Sequence, residues 1–81
     1  MTEQAEANLR TIVRSVLTLP PGTDVTRARQ TGVEAWDSLA HVSLMLALEG
    51  EFNLTIDIAD QLRLTSYEAI KRYLEERGGD Q

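Results

Sequence analysis

Apolar residues are grouped in three stretches along the chain, each with the spacing of a helix. In the first stretch they recur at i, i+3, i+4, i+7 and i+8, which places one apolar stripe on a helix of about four turns. This stripe consists of Leu9, Ile12, Val13, Val16 and Leu17. Pro20 and Pro21 follow, and a helix cannot continue through them. The pattern therefore predicts an amphipathic helix that ends before Pro20.

A connection rich in Thr, Gly and Arg occupies residues 20–36. Its apolar residues are too sparse to define a strand, and a loop of this length in a small domain is often functional. The second apolar stretch runs from Asp37 to Phe52 and is apolar around most of its circumference. We expect part of this helix surface to be exposed or to be covered by a partner.

The remaining sequence predicts one short helix and one longer helix. Residues 56–64 have room for one or two helical turns. Thr65-Ser66-Tyr67-Glu68 has the pattern of a capping box, and the helix that it opens ends at Gly78-Gly79. Tyr67 and Tyr73 on this last helix are expected to be partly buried, with hydroxyls that reach water.

These elements together predict an all-α fold. We expect a small antiparallel four-helix bundle, with three main helices, one short helix and a long loop between the first and second helices. The 81 residues allow a single domain, 1–81, with an ordered core at about 4–77 and flexible termini. A domain of this size has little room for a deep cleft closed to water, so we do not expect an enzyme.

Composition narrows the class of protein further. The chain has no cysteine, which excludes disulfides and thiolate metal sites. Its N-terminus lacks the basic and then apolar layout of a signal peptide, and no apolar run approaches the length of a membrane span. We expect a cytoplasmic monomer that binds no membrane.

Charge is distributed unevenly along the chain, whose net charge is −5. No Lys or Arg lies between Arg29 and Arg63, and this acidic segment contains Glu34, Asp37, Glu49, Glu51, Asp57 and Asp60. A surface of this kind attracts basic partners and repels nucleic acid. The alternative is that the acidic residues serve solubility alone.

The start of the second helix contains the most informative residues. Asp37 is a good N-cap, since its carboxylate can accept from the free N–H groups of the first turn. Ser38 then takes the first helical position, with a hydroxyl that is not needed for capping. A phosphate on that oxygen would lie at the positive end of the helix dipole. The alternative is that Asp37 and Ser38 only begin a helix.

The residues that follow resemble the second helix of the acyl carrier protein family. The resemblance rests on Asp37-Ser38-Leu39, on Val42, Leu44 and Leu46, on Leu48-Glu49-Gly50-Glu51-Phe52 and on the exit Thr55-Ile56-Asp57. The predicted order of helices is also similar to that of the family over essentially the whole chain. Trp36 looks more like carriers from specialised pathways, and Ala40, His41 and Ser43 depart from the fatty-acid pattern.

The resemblance implies that Ser38 receives 4′-phosphopantetheine from coenzyme A through a separate, magnesium-using phosphopantetheinyl transferase. The thiol of this arm would hold an acyl or aminoacyl group as a thioester in fatty-acid, polyketide, nonribosomal-peptide or related biosynthesis, while the carrier itself catalyses nothing. Loading and processing enzymes would meet the second helix with basic patches. The matching positions are Asp37, Leu39, Leu46, Glu49 and Glu51, flanked by Glu34 and Asp57.

Other chemistries are less well supported by the residues. His41 is the one histidine and could reach Ser38, but no nucleophile elbow or oxyanion hole completes a serine hydrolase. We expect His41 on the surface beside Ser38. Trp36 either contacts the arm or a partner, or packs the loop against the helix. The carboxylates at 49–60 resemble a calcium loop, but Leu54 stands where glycine is needed, so we predict no metal site.

A second hypothesis assigns a different class of function: an unmodified helical interaction module that docks a partner protein through the same second helix.

Overall fold

The computed structural model describes residues 1–77 and contains four α-helices in this range. They are α1 at Glu3–Val16, α2 at Ser38–Phe52, α3 at Ile58–Gln61 and α4 at Tyr67–Glu76. A single 3-10 turn lies at Val25–Arg27. The described residues form no strand, and the all-α prediction is confirmed. None of the helices within 1–77 combines the length and apolar character needed to cross a membrane.

Helix α1 begins at an N-cap that the sequence pattern did not single out. The hydroxyl of Thr2 accepts a hydrogen bond from the backbone N–H of Ala5 at 3.1 Å. The helix ends before the two prolines, as predicted. The guanidinium of Arg14 then donates to the carbonyl oxygens of Pro20 and Thr23, both at 2.9 Å. These bonds fold the chain back on the end of α1.

The segment between α1 and α2 packs on the helices through its few apolar side chains. Val25, Ala28 and Trp36 are buried. Backbone bonds tie the segment to the start of α4, from the N–H of Gln30 to Thr65 at 2.8 Å and from the N–H of Tyr67 to Ala28 at 3.0 Å. The chain that leads to Ser38 is therefore held in place over much of its length.

One apolar core joins α1, α2 and α4. Its fully buried side chains include Leu9, Val13, Leu44, Leu48, Ile70 and Leu74. Helix α3 contributes no buried residue, although Ile56 before it and Leu64 after it are both buried. Helix α3 therefore adds little to the burial of apolar surface, which is the dominant favourable term in folding.

The cap of α4 differs by one residue from the prediction. The hydroxyl of Ser66, rather than Thr65, accepts from the N–H of Ala69 at 3.1 Å, and Glu68 pairs with Arg72 at 2.8 Å. The carbonyl oxygen of Thr65 instead accepts from the backbone N–H of Gln30 in the loop, at 2.8 Å. The helix ends at Glu76, and the predicted end at Gly78-Gly79 lies outside the described residues.

Tyr73 is partly buried, as predicted, whereas Tyr67 is buried more fully than predicted, and both hydroxyls donate to carboxylates. Tyr67 is only 2% exposed and donates to Glu6 at 3.2 Å, while Tyr73 donates to Asp60 at 3.2 Å. Burial raises the pKa of Tyr67 to about 12, and the negative charge of Glu6 acts in the same direction. The two bonds connect α4 to α1 and to α3.

Acid is expected to destabilise the fold through Glu6, which joins α1 to α4. A hydrogen bond from Lys71 at 3.0 Å is the main cause that holds the pKa of Glu6 below its ordinary value of 4.5. A carboxyl with a lowered folded-state pKa stabilises the fold above its unfolded pKa, and this contribution is lost as the pH falls through the folded-state pKa. We therefore expect the urea midpoint to fall between about pH 5 and pH 2.

The Glu6→Gln variant should show a smaller fall over that range than the unsubstituted protein, measured by circular dichroism. Glu3→Gln removes an exposed carboxylate from the same helical turn and serves as the control. Equal acid sensitivity of the unsubstituted protein and the Glu6→Gln variant would exclude Glu6 as the cause.

Candidate functional site

Asp37 caps the N-terminus of α2 with both its side chain and its backbone. Its Oδ1 accepts from the N–H of Ala40 at 2.8 Å, and its carbonyl oxygen accepts from the N–H of His41 at 2.9 Å. Ser38 is the first residue of the helix. The predicted arrangement of cap and first residue is confirmed, and it leaves the serine hydroxyl without a capping task.

The hydroxyl of Ser38 is exposed to solvent and forms no hydrogen bond within residues 1–77. The backbone N–H groups of Ser38 and Leu39 also have no acceptor in that part of the chain, as is usual for the first turn of a helix. Free N–H groups and the positive end of the helix dipole favour an anion at this position. The geometry thus suits a phosphate ester on Ser38.

His41 was expected on the surface beside Ser38, and it is partly exposed there. Its Nδ1 accepts a hydrogen bond from Trp36 Nε1 at 3.0 Å, and its Nε2 lies 2.7 Å from the carbonyl oxygen of Gln61. Both ring nitrogens are therefore occupied. Neither can take a proton from Ser38 unless one of these bonds breaks, so the pair lacks the arrangement of a nucleophile and its base.

Trp36 has the packing role that was one of its two interpretations. It is only 2% exposed, and its ring lies 6.1 Å from that of His41 at an interplanar angle of 28°. The residue two positions before Ser38 is thus fixed by burial, by stacking and by a hydrogen bond. The last part of the loop is anchored to the first turn of α2.

No model of a known protein family matches this chain, and no curated protein or solved structure matches it either. The chemistry of the Ser38 turn must therefore follow from its own geometry and from the surface around it.

An exposed apolar face lies beside Ser38. On α2 it consists of Leu39, Val42 and Leu46, at the spacing i, i+3 and i+7, and Leu39 and Leu46 are 77% and 62% exposed. Two further exposed apolar side chains lie at the short helix: Ile58, its first residue, and Leu62, its C-cap, are each 73% exposed. Exposed apolar side chains in such a concentration are typical of a surface that binds a partner.

Leu39 and Leu46 were predicted for the docking surface, whereas Ile58 and Leu62 were not predicted from the sequence. Leu62 is the C-cap of the short helix and lies four positions after Ile58, which is about one helical turn. That spacing was a usable signal. It was not decisive, because an apolar pair in a short helix points into the core as often as out of it.

The acidic residues predicted for this surface differ in their surroundings. Asp37 is exposed. Glu49 is partly buried, and its Oε2 accepts from the backbone N–H of Ile56 at 2.7 Å, while Glu51 accepts from the side chain of Asn8 at 3.1 Å. Glu49 therefore holds the connection between α2 and α3. A role of Glu49 and Glu51 in docking stays a prediction.

Three of the four carboxylates of the 49–60 segment, those of Glu49, Glu51 and Asp60, are held by different partners. Glu49 bonds the backbone, and Asp60 pairs with Arg63 at 2.6 Å and with Arg77 at 3.3 Å. The hydrogen bond from Arg63 is the main cause that lowers the pKa of Asp60 below its ordinary value. In the described part of the chain, no three histidine or acidic side chains converge where a metal ion could be held.

Proposed function

We propose that this chain is an acyl carrier protein and that Ser38 carries 4′-phosphopantetheine. The observation that carries the proposal is the exposed, unbonded hydroxyl of Ser38 at the first position of α2, beside two unpaired backbone N–H groups. Asp37 also supports the proposal. Its carboxylate caps α2, a role that a serine at the start of a helix often has, so the Ser38 hydroxyl is not needed for capping. The resemblance of residues 37–57 to the family supports it from the sequence.

In the attachment reaction, Ser38 Oγ attacks the phosphorus of coenzyme A that bears the pantetheine arm. A new O–P bond forms, the bond between the two phosphates breaks, and adenosine 3′,5′-bisphosphate leaves. A base on the transferase takes the hydroxyl proton, since His41 is engaged elsewhere. The arm then supplies the thiol that this cysteine-free chain lacks, and an acyl or aminoacyl group is carried on it as a thioester.

We also infer that the helices form an antiparallel four-helix bundle of the carrier type. In this arrangement α1, α2 and α4 are the main helices, α3 is the short one, and residues 17–37 are the long loop. The single core shared by the three longer helices supports it. Such a bundle leaves the Ser38 turn at one end, where the arm can swing between enzymes.

Partner enzymes are proposed to dock on the exposed apolar face, with Asp37 and the other acidic residues guiding basic patches towards it. Replacing Leu46 by alanine should lower the kcat/KM of a phosphopantetheinyl transferase by roughly 5- to 30-fold, because apolar anchors of an interface contribute about 1–2 kcal/mol each. Ser43→Ala, an exposed change on the same helix, is the control. An unchanged kcat/KM in Leu46→Ala would remove this leucine from the docking surface.

The proposal is tested by intact mass after incubation with coenzyme A, magnesium and a broad-specificity phosphopantetheinyl transferase. The expected result is a gain of one phosphopantetheinyl group per chain. The second candidate is an unmodified interaction module, which the exposed apolar face favours. No mass gain with any transferase tried would favour this module over a carrier.

A further inference from the structure

Four residues from three parts of the chain form one line of hydrogen bonds. Trp36 Nε1 donates to His41 Nδ1 at 3.0 Å, and His41 Nε2 lies 2.7 Å from the carbonyl oxygen of Gln61. The side chain of Gln61 in turn donates to the carbonyl oxygen of Ile56 at 3.0 Å. The line joins the loop before Ser38, the first turn of α2 and both flanks of α3.

The donors and acceptors in this line fix the position of one proton. An indole N–H can only donate, so His41 Nδ1 must be the acceptor and must carry no hydrogen. The neutral ring then carries its hydrogen on Nε2, which donates to the carbonyl oxygen of Gln61. His41 therefore bonds both neighbours at once in one defined tautomer.

Helix α3 depends on such polar contacts because it buries no side chain of its own. The carboxylate of its N-cap, Asp57, accepts no capping hydrogen bond. Towards α4, the helix is held by Asp60, which accepts from Tyr73 and pairs with Arg77. Within residues 1–77, the bond from His41 to Gln61 is the single hydrogen bond between α2 and α3.

We propose that His41 is a positioning residue, which fixes α3 relative to the Ser38 turn by bonding Trp36 with one ring nitrogen and the Gln61 carbonyl with the other. Its effect is to present Ile58 of α3 and Leu62, the C-cap of α3, together with Leu39 on α2, as one surface beside Ser38. The functional part of this inference rests on the proposed carrier function. The mechanical part, the coupling of α3 to the loop, does not.

Substitutions at position 41 can separate the two hydrogen bonds of His41, one with Trp36 and the other with Gln61. His41→Ala removes both bonds. His41→Asn keeps an acceptor close to the position of Nδ1, and therefore the bond from Trp36. His41→Gln extends an amide donor towards the position of Nε2, and therefore keeps the bond to Gln61. Ile70→Val, a core truncation on α4, controls for a loss of stability without loss of either bond.

The mechanical part is tested by amide hydrogen exchange in the unmodified protein. The N–H groups of Gln61 and Leu62 donate to Asp57 and Ile58 within the α3 turn. In His41→Ala their exchange should accelerate by about three- to tenfold relative to the core amides of α2, the effect of losing one hydrogen bond. His41→Gln should restore slow exchange and His41→Asn should not. Equal acceleration of α3 in His41→Ala and Ile70→Val would overturn the coupling.

The proton position can be measured directly because the chain has one histidine and one tryptophan. The imidazole nitrogen resonances should show the hydrogen on Nε2 and none on Nδ1. The indole N–H resonance should shift in His41→Ala and stay near its original position in His41→Asn. A hydrogen found on Nδ1 would contradict the hydrogen bond from Trp36 to His41 on which the proposal depends.

The functional part is tested by transferase kinetics on the same variants, at a temperature where all are folded. His41→Ala should raise the KM for this protein by about three- to tenfold with kcat unchanged, because docking and not chemistry is disturbed. His41→Gln should return the KM to near its original value, and Ile70→Val should leave it unchanged. An unaltered KM in His41→Ala overturns the positioning role while the carrier function stands. If the transferase does not modify the unsubstituted protein, the carrier function is overturned. The hydrogen-exchange result alone then decides whether His41 couples α3 to the loop.

Discussion

Replacing Ser38 by alanine should abolish the attachment of phosphopantetheine completely. Its oxygen is the proposed nucleophile, and no other hydroxyl in the described chain occupies the first turn of α2. The fold should be unaffected, because the Ser38 hydroxyl makes no hydrogen bond within residues 1–77 and an exposed change of this kind alters stability by less than about 0.5 kcal/mol. Intact mass and a urea titration of the same preparation measure both effects.

Ser43→Ala is the matched control for this result. Ser43 is also an exposed serine of α2, but it lies in the body of the helix, where the backbone N–H groups are bonded. This variant should gain the full mass of one phosphopantetheinyl group. A mass gain in Ser38→Ala equal to that of the unsubstituted protein would mean that the modification is elsewhere and that the proposed site is wrong.

Replacing Leu48 by alanine should have the largest effect on stability. Its side chain is fully buried in the core between the long helices, and truncating such a leucine typically costs about 2–5 kcal/mol. A domain of this size has a stability near the lower end of the usual range, about 5 kcal/mol. We therefore expect Leu48→Ala to retain only about 0–3 kcal/mol of stability, which circular dichroism would show as a much lower urea midpoint than that of the unsubstituted protein.

The same helix provides a matched control two residues earlier. Leu46 is 62% exposed, so Leu46→Ala loses little buried area and should change the free energy of unfolding by less than about 0.5 kcal/mol. The comparison isolates burial, because residue type and helix are the same. A similar loss of stability in both variants would contradict the assignment of Leu48 to the core and Leu46 to the surface.

The start of α2 could be predicted from the sequence because its determinants are local. The carboxylate of Asp37 accepts from the N–H of Ala40, three positions later. Both partners of this hydrogen bond therefore lie in one short stretch of sequence. The two prolines before the loop and the left-handed Asn53 that ends α2 are local signals of the same kind. The order and type of the longer helices followed from such signals together with apolar spacing.

The environment of His41 could not be predicted, since its partners are distant in sequence or lack a distinctive signal. Gln61 lies 20 residues away and contributes a backbone carbonyl, which every residue possesses. Glu49 presents the same difficulty, because its partner is the N–H of Ile56. Contacts of this kind depend on how the helices pack, and periodicity shows only which side of a helix is apolar.

The carboxylate partners of the two tyrosine hydroxyls could not be predicted, for a related reason. Tyr67 bonds Glu6, which is 61 residues earlier in the chain, and only the packing of α4 on α1 brings the two together. A buried phenol needs a polar partner, but the sequence does not show which one is within reach. In the same way, the exposure of Ile58 and Leu62 depends on how α3 is anchored rather than on its own four residues.

The most direct test of the account is a peptide mass spectrum of the protein purified from its own host. Trypsin should release residues 30–63 as one peptide, because no Lys or Arg lies between Arg29 and Arg63. The account predicts that this peptide carries phosphopantetheine on Ser38, with or without an acyl group on the thiol. A peptide recovered only in its unmodified form, from cells whose other carrier proteins are modified, would contradict it.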